Sequence, residues 1–265
     1  MGHSPAASHF AIAALVFAGA LAGTGTATVA LAAAPAASAP AAQPRAIKEA
    51  NALYEFTYAY PAQAAAIPAL KAWLEADIAT SRRNLIASAR EGRTMAKEEG
   101  FDFNPYSHAM EWKVVTNLPG WLSLSGFGWQ FSGGAHGNSW SATVLWDKQA
   151  GVRRAPLDLF ISKAAFANAI RGPFCRALNK ERAERRGEPV DPASGSDFDA
   201  CVDPAEATVM LGSADKLHFT RMGIELDPYV AGPYVEGSYT INLPITAAVV
   251  QAVKPQYRAA FAVQR

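Results

Sequence analysis

Residues 111–147 read EWKVVTNLPGWLSLSGFGWQFSGGAHGNSWSATVLWD. Trp112–Asn117, Trp121–Phe131 and Trp140–Trp146 are rich in the aromatic and β-branched residues that suit a pleated, half-buried surface, and three strands are expected. Pro119-Gly120 signals a turn between the first two, and Asp147–Gly151 turns the chain after the third. The glycine-rich run Ser132–Asn138 joins the second strand to the third. Connections this short make a meander of antiparallel strands.

On the N-terminal side, Leu53–Tyr60 reads LYEFTYAY, an alternating strand that Pro61 ends. Ile67, Leu70, Trp73, Leu74, Ile78 and Leu85 recur at helical steps, which predicts an amphipathic helix from about Pro68 to Arg90, ending near Gly92. On the C-terminal side, Leu157–Phe160 leads into a helical region, Ser162–Arg186, that Gly172-Pro173 is expected to break. Glu188–Pro204 reads as a loop, 216–220, 222–226 and 238–243 as strands, and Ile245–Val253 as a short helix. The class expected is α+β, with antiparallel sheets and helices packed on one face. One tandem repeat stands out: Pro228-Tyr229-Val230-Ala231-Gly232, then Pro233-Tyr234-Val235-Glu236-Gly237.

All 24 Lys and Arg and all 23 Asp and Glu lie beyond residue 44, and the net charge is +1. That balance speaks against nucleic acid as a partner. The uncharged, alanine-rich start has the pattern of a signal peptide over 1–34 followed by an Ala/Pro linker over 35–48. A periplasmic or secreted location is therefore expected, with no membrane contact after cleavage. Export in turn favours a disulfide between Cys175 and Cys201, the two cysteines of the chain.

Ser132–Asn138 is the leading candidate for chemistry. Gly133, Gly134 and Gly137 permit positive φ and close backbone approach, with His136 at the tip and Asn138 beside it. The loop is either a ligand contact or a tight strand connection. Tyr229 and Tyr234 of the repeat are either core anchors or exposed groups of the kind interfaces favour. The candidate binding residues are thus Gly133, Gly134, His136, Asn138, Tyr229 and Tyr234. Asp102, Asp227 and Glu236 are expected in solvated or capping roles. The sequence holds no G-x-S-x-G, H-E-x-x-H, phosphate-loop or dinucleotide signature, and Ser213–Lys216 matches S-x-x-K without its companion motifs. No catalytic residue, metal or cofactor is expected.

Gln130–Asp147 with Gly-Gly-Ala-His at its centre, Leu157–Phe160, and Leu226-Asp227-Pro228-Tyr229 through Gly237 to Ile241–Ile245 together resemble the extracytoplasmic domain of RsiV-type anti-sigma factors. The same domain of unknown function accompanies some peptidoglycan deacetylases. The resemblance covers roughly residues 50–255 and implies a stand-alone secreted module of two intimately associated subdomains, 49–150 and 151–265. It implies a binding role in the cell envelope, toward lysozyme or a peptidoglycan-related glycan, and no catalytic residues. The alternative is a wall-directed hydrolase or deacetylase using His136 as acid or base.

Overall fold

The computed structural model describes residues 41–191 and 193–264; the segment expected to direct export, 1–34, lies outside them. The first strand, β1 (Arg45–Ala50), begins inside the stretch expected to be linker. Its alternation is weak because it is an edge strand, and Arg45, Lys48 and Glu49 keep that edge hydrophilic. β2 (Tyr54–Tyr60) buries Phe56, Tyr58 and Tyr60 on one face. After a single helical turn, α1 (Ala62–Ala65), the long helix α2 (Pro68–Glu99) leads to β3 (Tyr106–Asn117). The meander continues through β4 (Trp121–Phe131), β5 (Asn138–Asp147) and the short β6 (Val152–Arg154).

These six strands form one sheet in sequence order. Every pair is antiparallel except β2–β3, where Tyr54 faces Tyr106 and Ala59 faces Glu111 in parallel register. The expected all-antiparallel sheet is corrected here, and the cause is α2. A helix returning along the length of a strand delivers the next strand to the same end, so the pair is parallel. α2 also runs past Gly92 to Gly100, whose φ of +77° ends it. Leu70, Leu74, Ile78 and Leu85 pack on Phe56, Tyr58, Met110, Trp112, Leu124 and Trp146 to make the first core.

The second core joins α3 (Lys163–Arg186), α4 (Ala247–Ala252) and an antiparallel sheet of β7 (Thr208–Gly212), β8 (Arg221–Leu226) and β9 (Tyr239–Pro244). Ser162 caps α3 by accepting from the Ala165 amide at 3.0 Å. α3 passes unbroken through Gly172-Pro173. A residue before proline resists helical φ/ψ because its Cβ meets the proline ring, and glycine has no Cβ. Burial of Ile170, Phe174 and Leu178 then outweighs the missing hydrogen bond. The strand expected at 216–220 is instead a turn in which Asp215 accepts from the Leu217 and His218 amides, both at 2.8 Å. β7, which the sequence reading passed over, takes its place against β8.

The α+β class stands, with helices packed against a six-stranded and a three-stranded sheet. β6 pairs with β5 only from Leu145 to Asp147, leaving the rest of that edge open. Asp227 Oδ1 accepts from the Ser141 amide at 2.8 Å, and Thr208 Oγ1 donates to the Ser141 carbonyl at 3.3 Å. Thr208 of β7 and Asp227, just after β8, thus satisfy the Ser141 backbone on the free edge of the first sheet.

Candidate binding surface

Phe131 and Asn138 end the two ladders that bracket the glycine-rich loop. Gly133 and Gly134 adopt φ of +90° and +86°, a conformation that excludes ordinary side chains. Gly137 is buried, and a Cβ there would lie 2.4 Å from the Trp129 ring. The loop is therefore fixed on both sides of His136, which remains exposed.

The Pro-Tyr repeat comes to the same place. Tyr234 donates from Oη to the Gly137 carbonyl at 2.8 Å, and His136 donates from Nδ1 to the same oxygen at 2.9 Å. A carbonyl only accepts, so Nδ1 carries a proton. The His136 and Tyr234 rings stack at 4.1 Å between centroids, and Tyr229 follows at 5.4 Å from Tyr234. Tyr229 is 54% exposed and Val235 89% exposed, so the row of rings and its flank face solvent. Tyr229 has a φ of +71°, unusual for a bulky residue and evidence of a tightly determined loop.

What determines it is the end of α3. Arg182 is fully buried and donates from Nε to the Ala231 carbonyl at 2.8 Å and from Nη1 to the Ala200 carbonyl at 3.0 Å. Arg185 donates to the carbonyls of Glu236 and Ser238, at 2.6 and 2.8 Å, and lies over the Tyr239 ring. Arg186 bridges Asp199 at 2.6 Å and Glu236 at 2.8 Å. Tyr239 also donates to Glu236. Burial, with Arg186 close by, pulls the Arg182 pKa down, whereas the Glu236 hydrogen bond pushes that of Arg186 up. Glu236, expected in a solvated or capping role, is a nearly buried ion-pair partner, and Asp227 holds the Ser141 amide. The Cys175–Cys201 disulfide anchors the same segment, with Cα atoms 5.5 Å apart.

Of the six candidates, His136, Tyr229 and Tyr234 meet in one cluster. Asn138 takes the first ladder position of β5, opposite Gln130. Gly133 and Gly134 line a separate groove with Phe101, Phe103 and Tyr106. The three arginines escaped the sequence reading, although Glu181–Arg186, ERAERR, carried a visible charge run. Among the described residues no group of three or more His, Cys, Asp or Glu side chains is placed to hold a metal ion.

A family model described as deacetylase PdaC matches residues 47–139, from β1 through the glycine-rich loop. No curated protein matches the chain. A solved DUF3298-family structure from Bacteroides fragilis is similar over 76% of this chain and 90% of its own, with a TM-score of 0.53 and 14% identity. Another DUF3298-family structure, from Pseudomonas aeruginosa, is similar over 83% of this chain and 97% of its own, with a TM-score of 0.52 and 14% identity. At that identity the likeness shows the fold. The family-model match and the fold make the chain similar to PdaC over residues 47–139 and to DUF3298-family structures over most of its length.

Proposed function

We propose that this protein is an exported cell-envelope binding module that docks a protein partner of the lysozyme kind on the His136–Tyr234–Tyr229 row. One observation carries the reading: two loops nearly a hundred residues apart in sequence are held together so that aromatic rings face solvent. Exposed aromatics on a rigid base are what interfaces use as anchors, because little side-chain freedom is lost on binding. The Arg182–Arg185–Arg186 network and the disulfide supply that base. The disulfide also supports residence in an oxidising compartment, periplasmic or secreted. The resemblance to the RsiV-type domain supports lysozyme as the first partner to try.

The enzymatic reading of His136 has less to rest on. Its Nδ1 bonds a backbone carbonyl, where an acid–base histidine is oriented by a carboxylate, and one face of its ring is stacked on Tyr234. Calorimetric titration of the purified protein with lysozyme tests the docking reading, with purified peptidoglycan in parallel. Saturable lysozyme binding is expected, weakened at least tenfold by Tyr234→Ala, with a stability loss of only about 1 kcal/mol from the lost bond to Gly137. Binding to peptidoglycan alone, or an unaffected Tyr234→Ala protein, overturns the protein-docking reading.

A further inference from the structure

A cleft opens beside the middle of α2. The helix contributes Ser81, Asn84 and Ser88, while β3 and β4 contribute Tyr106, His108 and Gln130. Leu85 and Phe131 supply the apolar part, and the volume is about 140 Å³. An enclosed cavity of roughly 150 Å³ holds benzene, so the open cleft has room for one face of a single six-membered ring. Tyr106 and Ser132 also line an adjoining groove of about 330 Å³, walled by Met95, Phe101, Phe103 and the backbone at Gly133 and Gly134. The two spaces lie on either side of Tyr106, which packs against the helix at Gly92 and lines both, as does Ser132.

The lining has a definite chemical character. Phe103, Tyr106 and Phe131 form a row of rings, with centroids 5.4 and 6.4 Å apart. Phe101, 54% exposed, extends the apolar surface. Around the rings stand hydroxyls and amides. Among the described residues none of Ser81, Asn84, Ser88 and Gln130 is engaged in an ion pair or side-chain hydrogen bond within the protein, and the buried Nε2 of His108 has no partner. Asp102 is the one formally charged side chain lining either space, and burial keeps His108 neutral by pushing its pKa down. An anion finds no cation here, and a purely apolar ligand would strand the amides and hydroxyls. A ligand with apolar ring faces and many neutral hydroxyl or amide groups satisfies both surfaces.

We propose that this cleft binds a sugar ring, and that the adjoining aromatic groove continues the site for a short uncharged oligosaccharide. The site is separate from the His136–Tyr234–Tyr229 row and does not depend on docking there. Titration of the full-length mature protein with N-acetylglucosamine, chitotetraose and maltotetraose tests it. Saturable binding to at least one is expected. A tetrasaccharide that binds at least tenfold more tightly than the monosaccharide assigns the ligand to a glycan chain. Equal affinities assign it to a free sugar. Asn84→Leu and Ser88→Leu, both at exposed helical positions, are each expected to weaken binding at least tenfold without lowering the melting temperature, while Tyr234→Ala leaves it unchanged. No saturable binding up to about 10 mM, or full affinity retained in both leucine variants, overturns the proposal. A protein that holds lysozyme and no sugar loses this site and keeps its docking surface; one that holds sugar and no lysozyme does the reverse.

Discussion

His108 stacks on Phe56 at 5.5 Å and lies 5.6 Å from Trp140, and burial holds its pKa below the ordinary 6.5. The unfolded chain therefore takes up a proton at a pH where the folded protein still refuses one. Between 6.5 and the lowered value the unfolded state binds more protons, so stability falls as the pH drops. Asp147, Asp199 and Glu236 are pulled the other way relative to their charged forms, and their contribution is lost only in more acid solution, below their ordinary 3.8 to 4.5. Glu225 is pushed up by burial and opposes His108, but it is common to wild type and variant. The melting temperature is expected to fall between about pH 7 and pH 5, and His108→Phe is expected to flatten that slope. Calorimetric scans of both proteins across this range check it; parallel slopes would remove His108 from the account. The glycine-rich surroundings of His136 drew attention to its loop. The importance of His108 was not, because one histidine in an ordinary strand gives no sign of what packs over it.

At the scale of elements, periodicity located most of the secondary structure, and the errors share a cause. A glycine or proline reads as punctuation in sequence, whereas a packed chain also uses it for room. Gly92 was expected to end α2, yet the helix continues to Glu99. An ideal Cβ at Gly92 would lie 2.1 Å from the Tyr106 hydroxyl, so the missing side chain lets strand and helix approach. Gly92→Ala gains about 1 kcal/mol of helix propensity and loses about 1–3 kcal/mol to overpacking. Net destabilisation is expected in a urea melt, and Tyr106→Ala in the same chain should reverse its sign. Gly172-Pro173 misled in the same way inside α3. The parallel β2–β3 pair was in principle readable from the strand–helix–strand order, since a helix between strands is a crossover. β1 was hidden because an edge strand guarded by charge does not alternate cleanly.

At the scale of the molecule, the site depends on contacts that no local pattern announces. Arg182 reaches Ala231 across 49 residues, and the Tyr234–Gly137 bond spans 97. The cysteine pair was legible because the chain has only two, and the bridge closes a separation of 26 residues. In the chain-entropy account such a loop contributes about 3 kcal/mol, or roughly 6–12 °C in melting temperature for a domain of this size. Replacing both cysteines with serine is expected to produce a drop of that order in thermal melts, and reductant should no longer shift the variant.

The bond between Asp227 and the Ser141 amide also has a meaning in time. All six strands of the large sheet have been synthesised once residue 154 is made, yet the edge of β5 around Ser141 then has no neighbour. Thr208 and Asp227, which cover it, come some fifty and seventy residues later. For that interval the nascent chain carries a bare strand able to pair with another copy of itself, so the C-terminal sheet serves as a built-in guard against self-association during biogenesis.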